Sequence, residues 1–212
     1  MGLGIGLFIG ASVGRFLWPV LPQRVLREDL LGVLADFKAQ LSGDSEREVL
    51  IRLALRSVEI YQTTQRLRLP GCSKEERKQL NALSMELGTL GPRIHHLAVL
   101  GDDLPHAAEP FLRLPLRRLK IESIQLLQAV ADCIRTGSAR RDLPTLDAAL
   151  AETDEALRQI ADRRILTSYP VTAPLLMLDI VGRYQAVASA LEKTRRLLAD
   201  LQLQRYWGDY AL

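Results

Sequence analysis

Cysteine is nearly absent from this 212-residue sequence, which contains only Cys72 and Cys133. No motif links the two positions, so the pattern does not favour a disulfide framework, and a reducing compartment is the simpler interpretation. Aromatic residues make up only 5% of the chain, and no stretch alternates apolar and polar residues with a period of two. The sequence therefore predicts no β-sheet.

An excess of charge of one sign is also lacking. The 28 Lys and Arg residues are interleaved with 25 Asp and Glu residues, and the formal net charge is only +3. Because a nucleic-acid interface needs basic residues clustered on one face, we expect no nucleic-acid partner. Hydrophobic residues at 48% are sufficient for the core of one folded domain.

One long uncharged run is present, and it lies at the N-terminus. The first fourteen residues carry no charge, and glycine recurs there at every fourth position. Four residues turn an α-helix by about 400°, so these glycines form a smooth ridge of the kind that lets membrane helices pack closely. We interpret the ridge as a membrane-helix packing surface that needs partner helices, from upstream sequence or from another chain; its residues are Gly2, Gly6, Gly10 and Gly14.

The residues after this run are typical of a membrane exit. Arg15 ends the uncharged stretch, Phe16 and Trp18 supply interfacial aromatic rings, and Pro19 follows as a helix-breaking residue. Fourteen apolar residues rise only about 21 Å against a hydrocarbon core of about 30 Å. The span therefore either includes a snorkelling arginine or begins upstream, and we interpret residues 1–21 as a partial transmembrane helix.

The basic residues that flank the run set its expected orientation. Arg15, Arg24 and Arg27 all lie on its C-terminal side, and none precedes it. The positive-inside rule then places residues 22–212 in the cytoplasm. A signal peptide is disfavoured because the basic n-region is missing, and a buried glycine-rich core helix is the alternative.

Downstream of the run, apolar residues recur with helical spacing along most of the chain and predict the buried faces of its helices. The main stripes are Leu26, Leu30, Val33, Phe37 and Leu41; Leu80, Leu83, Leu87, Leu90, Ile94 and Leu97; and Met177, Val181, Tyr184, Ala188, Leu191, Leu198 and Leu201. The fold class that we predict is all-α, with the membrane-type helix followed by an antiparallel bundle of about six amphipathic helices. The six predicted helices cover residues 22–42, 44–69, 73–97, 116–136, 144–169 and 172–207.

Proline and polar residues suggest where these helices begin and end. Three prolines in residues 101–115 predict a connection there with at most a short helical turn. Pro144 is predicted to be the first residue of the fifth helix, and Tyr169-Pro170 is predicted to close it. Thr172 is predicted to cap the sixth helix.

Few residues suggest metal binding or catalysis. The only cluster of metal-ligand residue types is His95-His96 with Asp102, Asp103 and His106. Adjacent histidines on a helix point about 100° apart, so they do not form the pair at positions i and i+4 that a zinc site prefers. We therefore predict no metal, no cofactor and no enzymatic activity.

A basic cluster is the strongest charge feature of the soluble part. It contains Arg113, Arg117, Arg118 and Lys120. Either these side chains meet anionic lipid headgroups, at about 1 kcal/mol per charge near the surface, or they form a solvated helix face flanked by leucines.

The glycine-rich run, the aromatic–proline exit and the Arg- and Leu-rich start of the next helix carry a family resemblance. Together they resemble the end of the membrane block in the fusaric acid resistance (FUSC-like) family of aromatic acid exporters, and the resemblance covers about residues 1–42. The residues that fit the pattern are Gly6, Gly10, Gly14, Trp18, Pro19, Arg24, Leu26 and Leu30. The resemblance implies a bacterial inner-membrane protein whose relatives export aromatic carboxylic acids with the proton gradient.

This chain departs from that family because it lacks the preceding membrane helices of a transport pathway. We therefore expect a domain with an assembly or regulatory role, not a transporter on its own, and a sequence that begins inside the last span. A homo-oligomer is left open. The alternative is a stand-alone, membrane-anchored helical scaffold that binds another protein through an exposed leucine stripe; a soluble enzyme ranks third.

Overall fold

Five helices account for most of the described part of the chain. The computed structural model describes residues 22–43, 73–99, 103–137 and 143–201, together with the isolated residue 62. No strand occurs within these ranges, so the predicted all-α class is confirmed. The helices are α1 (Pro22–Ser42), α2 (Lys74–Val99), α3 (Glu109–Thr136), α4 (Asp147–Asp162) and α5 (Thr172–Asp200).

These five helices correspond to five of the six predicted for the bundle. The helix predicted over residues 44–69 lies outside the described residues, and so does the partial transmembrane helix predicted over residues 1–21. Among the helices that are described, none combines the length and the apolar character needed to cross a membrane.

Helix α1 packs antiparallel to α3. Near the start of α1, Arg27 donates a hydrogen bond to the carbonyl oxygen of Arg135 near the end of α3. Further along, Lys38 Nζ donates to Gln128 Oε1 at 2.8 Å. The predicted apolar face of α1 is buried, at 0–3% exposure, and consists of Leu26, Leu30, Val33, Phe37 and Leu41.

Helix α2 packs antiparallel to α5. Glu86 Oε2 lies 2.5 Å from Lys193 Nζ, and Arg93 Nη1 donates to the carbonyl oxygen of Ala186 at 3.1 Å. The helix runs continuously through Pro92. Its leucine stripe, with steps of three and four residues, is buried as the spacing predicts: Leu80, Leu83, Leu87, Leu90, Ile94 and Leu97.

Helix α3 begins seven residues earlier than the sequence predicts, which corrects the expectation of a largely non-helical connection up to residue 115. The helix starts at Glu109 and includes both Pro110 and Pro115. Pro110 lies in the first turn, where a backbone N–H has no partner inside the helix, so proline costs little there. Pro115 lies deeper and removes one backbone hydrogen bond, but it is buried in the core.

The end of α3 follows the prediction. Gly137 adopts a left-handed conformation with φ of 70°, and its N–H donates to the carbonyl oxygen of Cys133. Glycine suits this position because it has no Cβ to clash in the left-handed region.

Helix α4 is shorter at both ends than predicted. It begins at Asp147, preceded by Leu146 with φ −98° and ψ 2°, so Pro144 is not its first residue. It ends at Asp162, because Arg164 adopts a left-handed φ of 51° and turns the chain before Tyr169. The left-handed conformation is unfavourable for a residue with a Cβ atom. An arginine at position 164 therefore does not predict the end of α4.

Helix α5 confirms the predicted stripe but not the predicted cap. Thr172 is the first helical residue, and it follows Val171, whose side chain makes no capping hydrogen bond. Pro174 does lie in the first turn, where its missing N–H is tolerated. The predicted stripe is buried: Met177, Val181, Tyr184, Ala188, Leu191, Leu198 and Leu201.

Replacing Gln40 with methionine tests whether the buried amide of this α1 residue destabilises the protein. Gln40 is 3% exposed, and within the described part of the chain neither its amide nitrogen nor its amide oxygen has a hydrogen-bond partner. Because a buried polar group without partners carries an uncompensated desolvation cost, Gln40→Met should raise the free energy of unfolding by about 1 kcal/mol. Urea denaturation followed by circular dichroism measures the change.

The matched control is Gln128→Met on α3. Gln128 accepts from Lys38 and its amide nitrogen donates to Asp132 Oδ1 at 3.2 Å, so its replacement should not stabilise the protein. Equal effects of the two substitutions would contradict the assignment of Gln40 as an unsatisfied group.

Candidate functional site

A surface cleft lies between the first half of α3 and the middle of α5. It has a volume of about 420 Å³. Its lining combines charged and apolar side chains from three parts of the chain, namely Asp103, Leu104, Glu109, Arg113, Leu116, Arg117, Lys120 and Tyr184.

The helical register of α3 brings its basic residues into this cleft. Arg113, Arg117 and Lys120 lie at positions i, i+4 and i+7, which an α-helix places within about 60° of one another. The three side chains therefore project from one face of α3. Three of the four residues in the predicted basic cluster line the cleft.

The two acids of the cleft differ in how they are held. The Glu109 carboxylate contacts two nearby side chains. Its Oε1 lies 3.1 Å from Arg113 Nη1, and its Oε2 lies 3.3 Å from His106 Nδ1. Asp103 is exposed and lies just before the first turn of α3. The charge of Glu109 is therefore matched within its own turn of the helix.

Arg118, the fourth basic residue, points to a different neighbour. Its Nε lies 2.8 Å from Glu122 Oε1, and its Nη1 lies 2.7 Å from Glu152 Oε2 on α4. These hydrogen bonds, first to Glu122 and then to Glu152, raise the pKa of the Arg118 guanidinium. Arg118 therefore joins α3 to α4.

The predicted membrane-exit residues are only partly described. The glycine ridge and the segment Arg15–Pro19 lie outside the described residues. Arg24 is exposed and forms a pair of 2.9 Å with Glu28. Arg27 binds a carbonyl oxygen at the end of α3, a role that the positive-inside argument does not suggest.

The histidine and aspartate cluster named in the sequence is only partly described. His95 and His96 are exposed near the end of α2, whereas His106 is exposed and contacts Glu109. Asp102 lies outside the described residues. Across the ranges that the structure describes, no three His, Cys, Asp or Glu side chains are grouped so that they could hold a metal ion.

A partly buried carboxylate lies on α5. Glu192 has a side-chain exposure of 8%, and its Oε1 lies 2.5 Å from Arg195 Nη2 and 3.3 Å from Arg196 Nε. Burial alone would raise the pKa of this carboxyl, but the hydrogen bonds and charges of Arg195 and Arg196 outweigh it and lower the pKa. The pKa of Arg195 is raised, mainly by its hydrogen bond to Glu192 and also by the charge of Asp147 at the start of α4.

Arg183 on α5 is the most buried guanidinium in the described ranges. Its side chain is 8% exposed and is paired with Asp179. Its Nε and Nη1 atoms have no hydrogen-bond partner within the described part of the chain.

An exposed apolar patch at the start of α5 escaped the sequence analysis. Its residues are 42–75% exposed, and three of them, Val171, Leu175 and Leu178, share one helix face. The run from Leu175 to Leu178 was a usable signal, because four consecutive apolar residues on a helix cannot all face the core. The apolar patch consists of Tyr169, Val171, Leu175, Leu176 and Leu178.

Comparison of this chain with protein-family models, with curated proteins and with solved structures gives no match.

Replacing Glu192 with glutamine should make stability less dependent on pH in the acid range. A carboxylate whose pKa is lowered by folding stabilises the protein above its unfolded pKa of about 4.3, and this stabilisation is lost as the pH falls through the lower folded pKa. At pH 7 we expect Glu192→Gln to cost about 1–2 kcal/mol of unfolding free energy. Urea melts at pH 7 and pH 3 should show the difference shrinking at the lower pH.

Glu28→Gln is the matched control, because Glu28 is 64% exposed and forms a similar pair with one arginine. Exposed pairs contribute about 0.2–1 kcal/mol, so this variant should remain close to the parent at both pH values. A Glu192→Gln effect that is the same at pH 3 and pH 7 would contradict the proposed role of the carboxylate.

Proposed function

We propose that this chain is the cytoplasmic helical domain of an exporter-like inner-membrane protein, joined to the end of a membrane helix and serving assembly or regulation, not catalysis. The sequence of residues 1–42 supports this proposal through its resemblance to fusaric acid resistance proteins. In this proposal the bundle does not transport on its own and requires partner helices in the membrane.

One structural observation carries the proposal. Helix α1 begins at Pro22, immediately after the apolar segment, and its residues Leu26 and Leu30 are each only 1% exposed. The first helix of the bundle is therefore part of its core, and the apolar segment directly precedes it in the sequence. A bundle attached in this way would share any movement of a membrane helix before Pro22.

Membrane extraction tests this proposal. The full chain should remain in the membrane pellet after alkaline carbonate treatment, because its apolar segment would lie in the bilayer. Leu7→Glu with Ile9→Glu should release it, since each charge near the centre of a span costs about 2.5–3.5 kcal/mol. Immunoblots of pellet and supernatant give the released fraction.

The matched control is Leu114→Glu with Ile121→Glu, which adds the same charge to exposed positions of α3. This variant should stay in the pellet. Release of the parent chain by carbonate, or equal release of both double variants, would contradict a membrane anchor at the N-terminus.

The apolar patch on α5 favours a second candidate, a membrane-anchored scaffold that assembles through protein contacts. Contiguous exposed apolar side chains are typical of interaction surfaces. In this candidate the patch contacts a second copy of the chain, and Val171, Leu175 and Leu178, at positions i, i+4 and i+7, would form one seam of a helix–helix contact.

Two charges in the patch test this candidate. Leu175→Glu with Leu178→Glu should convert an oligomer to a monomer, because buried like charges on both copies oppose association. Light scattering of the full chain in a neutral detergent gives the protein mass. The Leu114→Glu with Ile121→Glu variant should keep the mass of the parent, and a monomeric parent would contradict self-association.

A further inference from the structure

We propose that the cleft between α3 and α5 binds a phosphate group, and that Arg117 and Lys120 are the residues that bind it. This inference does not depend on the proposed function, because it concerns a site wholly within the described residues. It follows from the charge, the register and the lining of the cleft.

Two cations of the cleft are unmatched. Arg113 already pairs with Glu109, whereas Arg117 and Lys120 form no ion pair with any residue that the structure describes. Besides Glu109, the lining contains one further carboxylate, that of Asp103. With three cations and two carboxylates in its lining, the cleft carries a net charge of +1, which a singly charged anion would balance.

The arrangement of the donors suits phosphate. A guanidinium presents a planar fork of N–H groups, and an ammonium presents three N–H groups in rotatable directions. Arg117 and Lys120 lie three residues apart on one face of α3, so both can reach the same anion. A phosphate group offers more acceptor oxygens than a carboxylate and can accept from both cations at once.

The rest of the lining indicates that the ligand carries an organic part. Leu104 and Leu116 line the cleft beside the cations, and the buried Tyr184 forms its α5 wall. These side chains offer apolar surface for a group attached to the phosphate. Small phosphate esters and phospholipid headgroups share this chemistry.

The position of the cleft distinguishes these two sources. Arg117 lies eighteen residues before Arg135 on α3, a rise of about 27 Å, and Arg135 contacts the start of α1. If α1 leaves a bilayer at Pro22, a lipid headgroup reaches the cleft only when the bundle lies along the bilayer surface. A phosphate compound in solution reaches it in any orientation.

Calorimetric titration of the full chain in a neutral detergent tests the site. The probes are inorganic phosphate, glycerol 3-phosphate, dihexanoyl phosphatidylglycerol and dihexanoyl phosphatidylcholine. Arg117→Gln with Lys120→Gln should weaken binding of the phosphate probes at least tenfold, whereas Lys120→Arg should keep the affinity within about threefold of the parent. Binding should also weaken with added salt, because it is electrostatic.

The matched control is Arg77→Gln with Lys78→Gln, which removes one arginine and one lysine from exposed positions early in α2, outside the cleft. It should bind within about twofold of the parent. Binding of the two small phosphates without phosphatidylglycerol supports a ligand in solution, and tighter binding of phosphatidylglycerol supports a headgroup. Binding of none of inorganic phosphate, glycerol 3-phosphate and phosphatidylglycerol, or equal weakening by both double variants, would overturn the proposal. Phosphatidylcholine carries the same phosphate diester beside a choline cation, so it should bind more weakly than phosphatidylglycerol.

Discussion

Burial of the apolar side of α5 is the constraint on which the rest of the bundle depends. This helix packs against α2, α3 and α4, and its stripe from Met177 to Leu198 is 0–6% exposed. Each fully buried aliphatic side chain contributes about 1.5–3 kcal/mol before the entropy of ordering is subtracted. The same helix provides Tyr184 to the cleft and Glu192 to the ion-pair cluster, so the candidate site, this cluster and the core share one element.

The helices were largely predictable from the sequence, whereas several of their ends were not. Apolar spacing identified the buried faces, since burial imposes the helical period on the residue types. The predicted start of α3 was wrong, because Pro110 is tolerated in the first turn and Pro115 is buried within the helix in spite of its missing N–H. The end of α4 depends on Arg164 in a left-handed conformation, which its residue type does not favour.

The candidate site was predictable only in part, because some of its residues are far apart in the sequence. Arg113, Arg117 and Lys120 share a helix, so their clustering is visible in the sequence. The cleft also requires Tyr184, which tertiary packing alone brings to α3. Likewise, the sequence reveals the charge of Arg27 but not the carbonyl oxygen of Arg135, more than 100 residues away, to which it donates.

The polar contacts of α4 differ in kind from those between α1 and α3. Arg27 and Lys38 on α1 donate to a backbone carbonyl and a side-chain amide on α3, and neither acceptor carries a charge. By contrast, the polar contacts that the structure places between α4 and its neighbours use carboxylates, namely Glu152 with Arg118 and Asp154 with Gln185. Added salt would therefore act unevenly on the bundle, because it screens the ion pair between α3 and α4 and leaves the contacts of α1 with neutral acceptors largely unchanged.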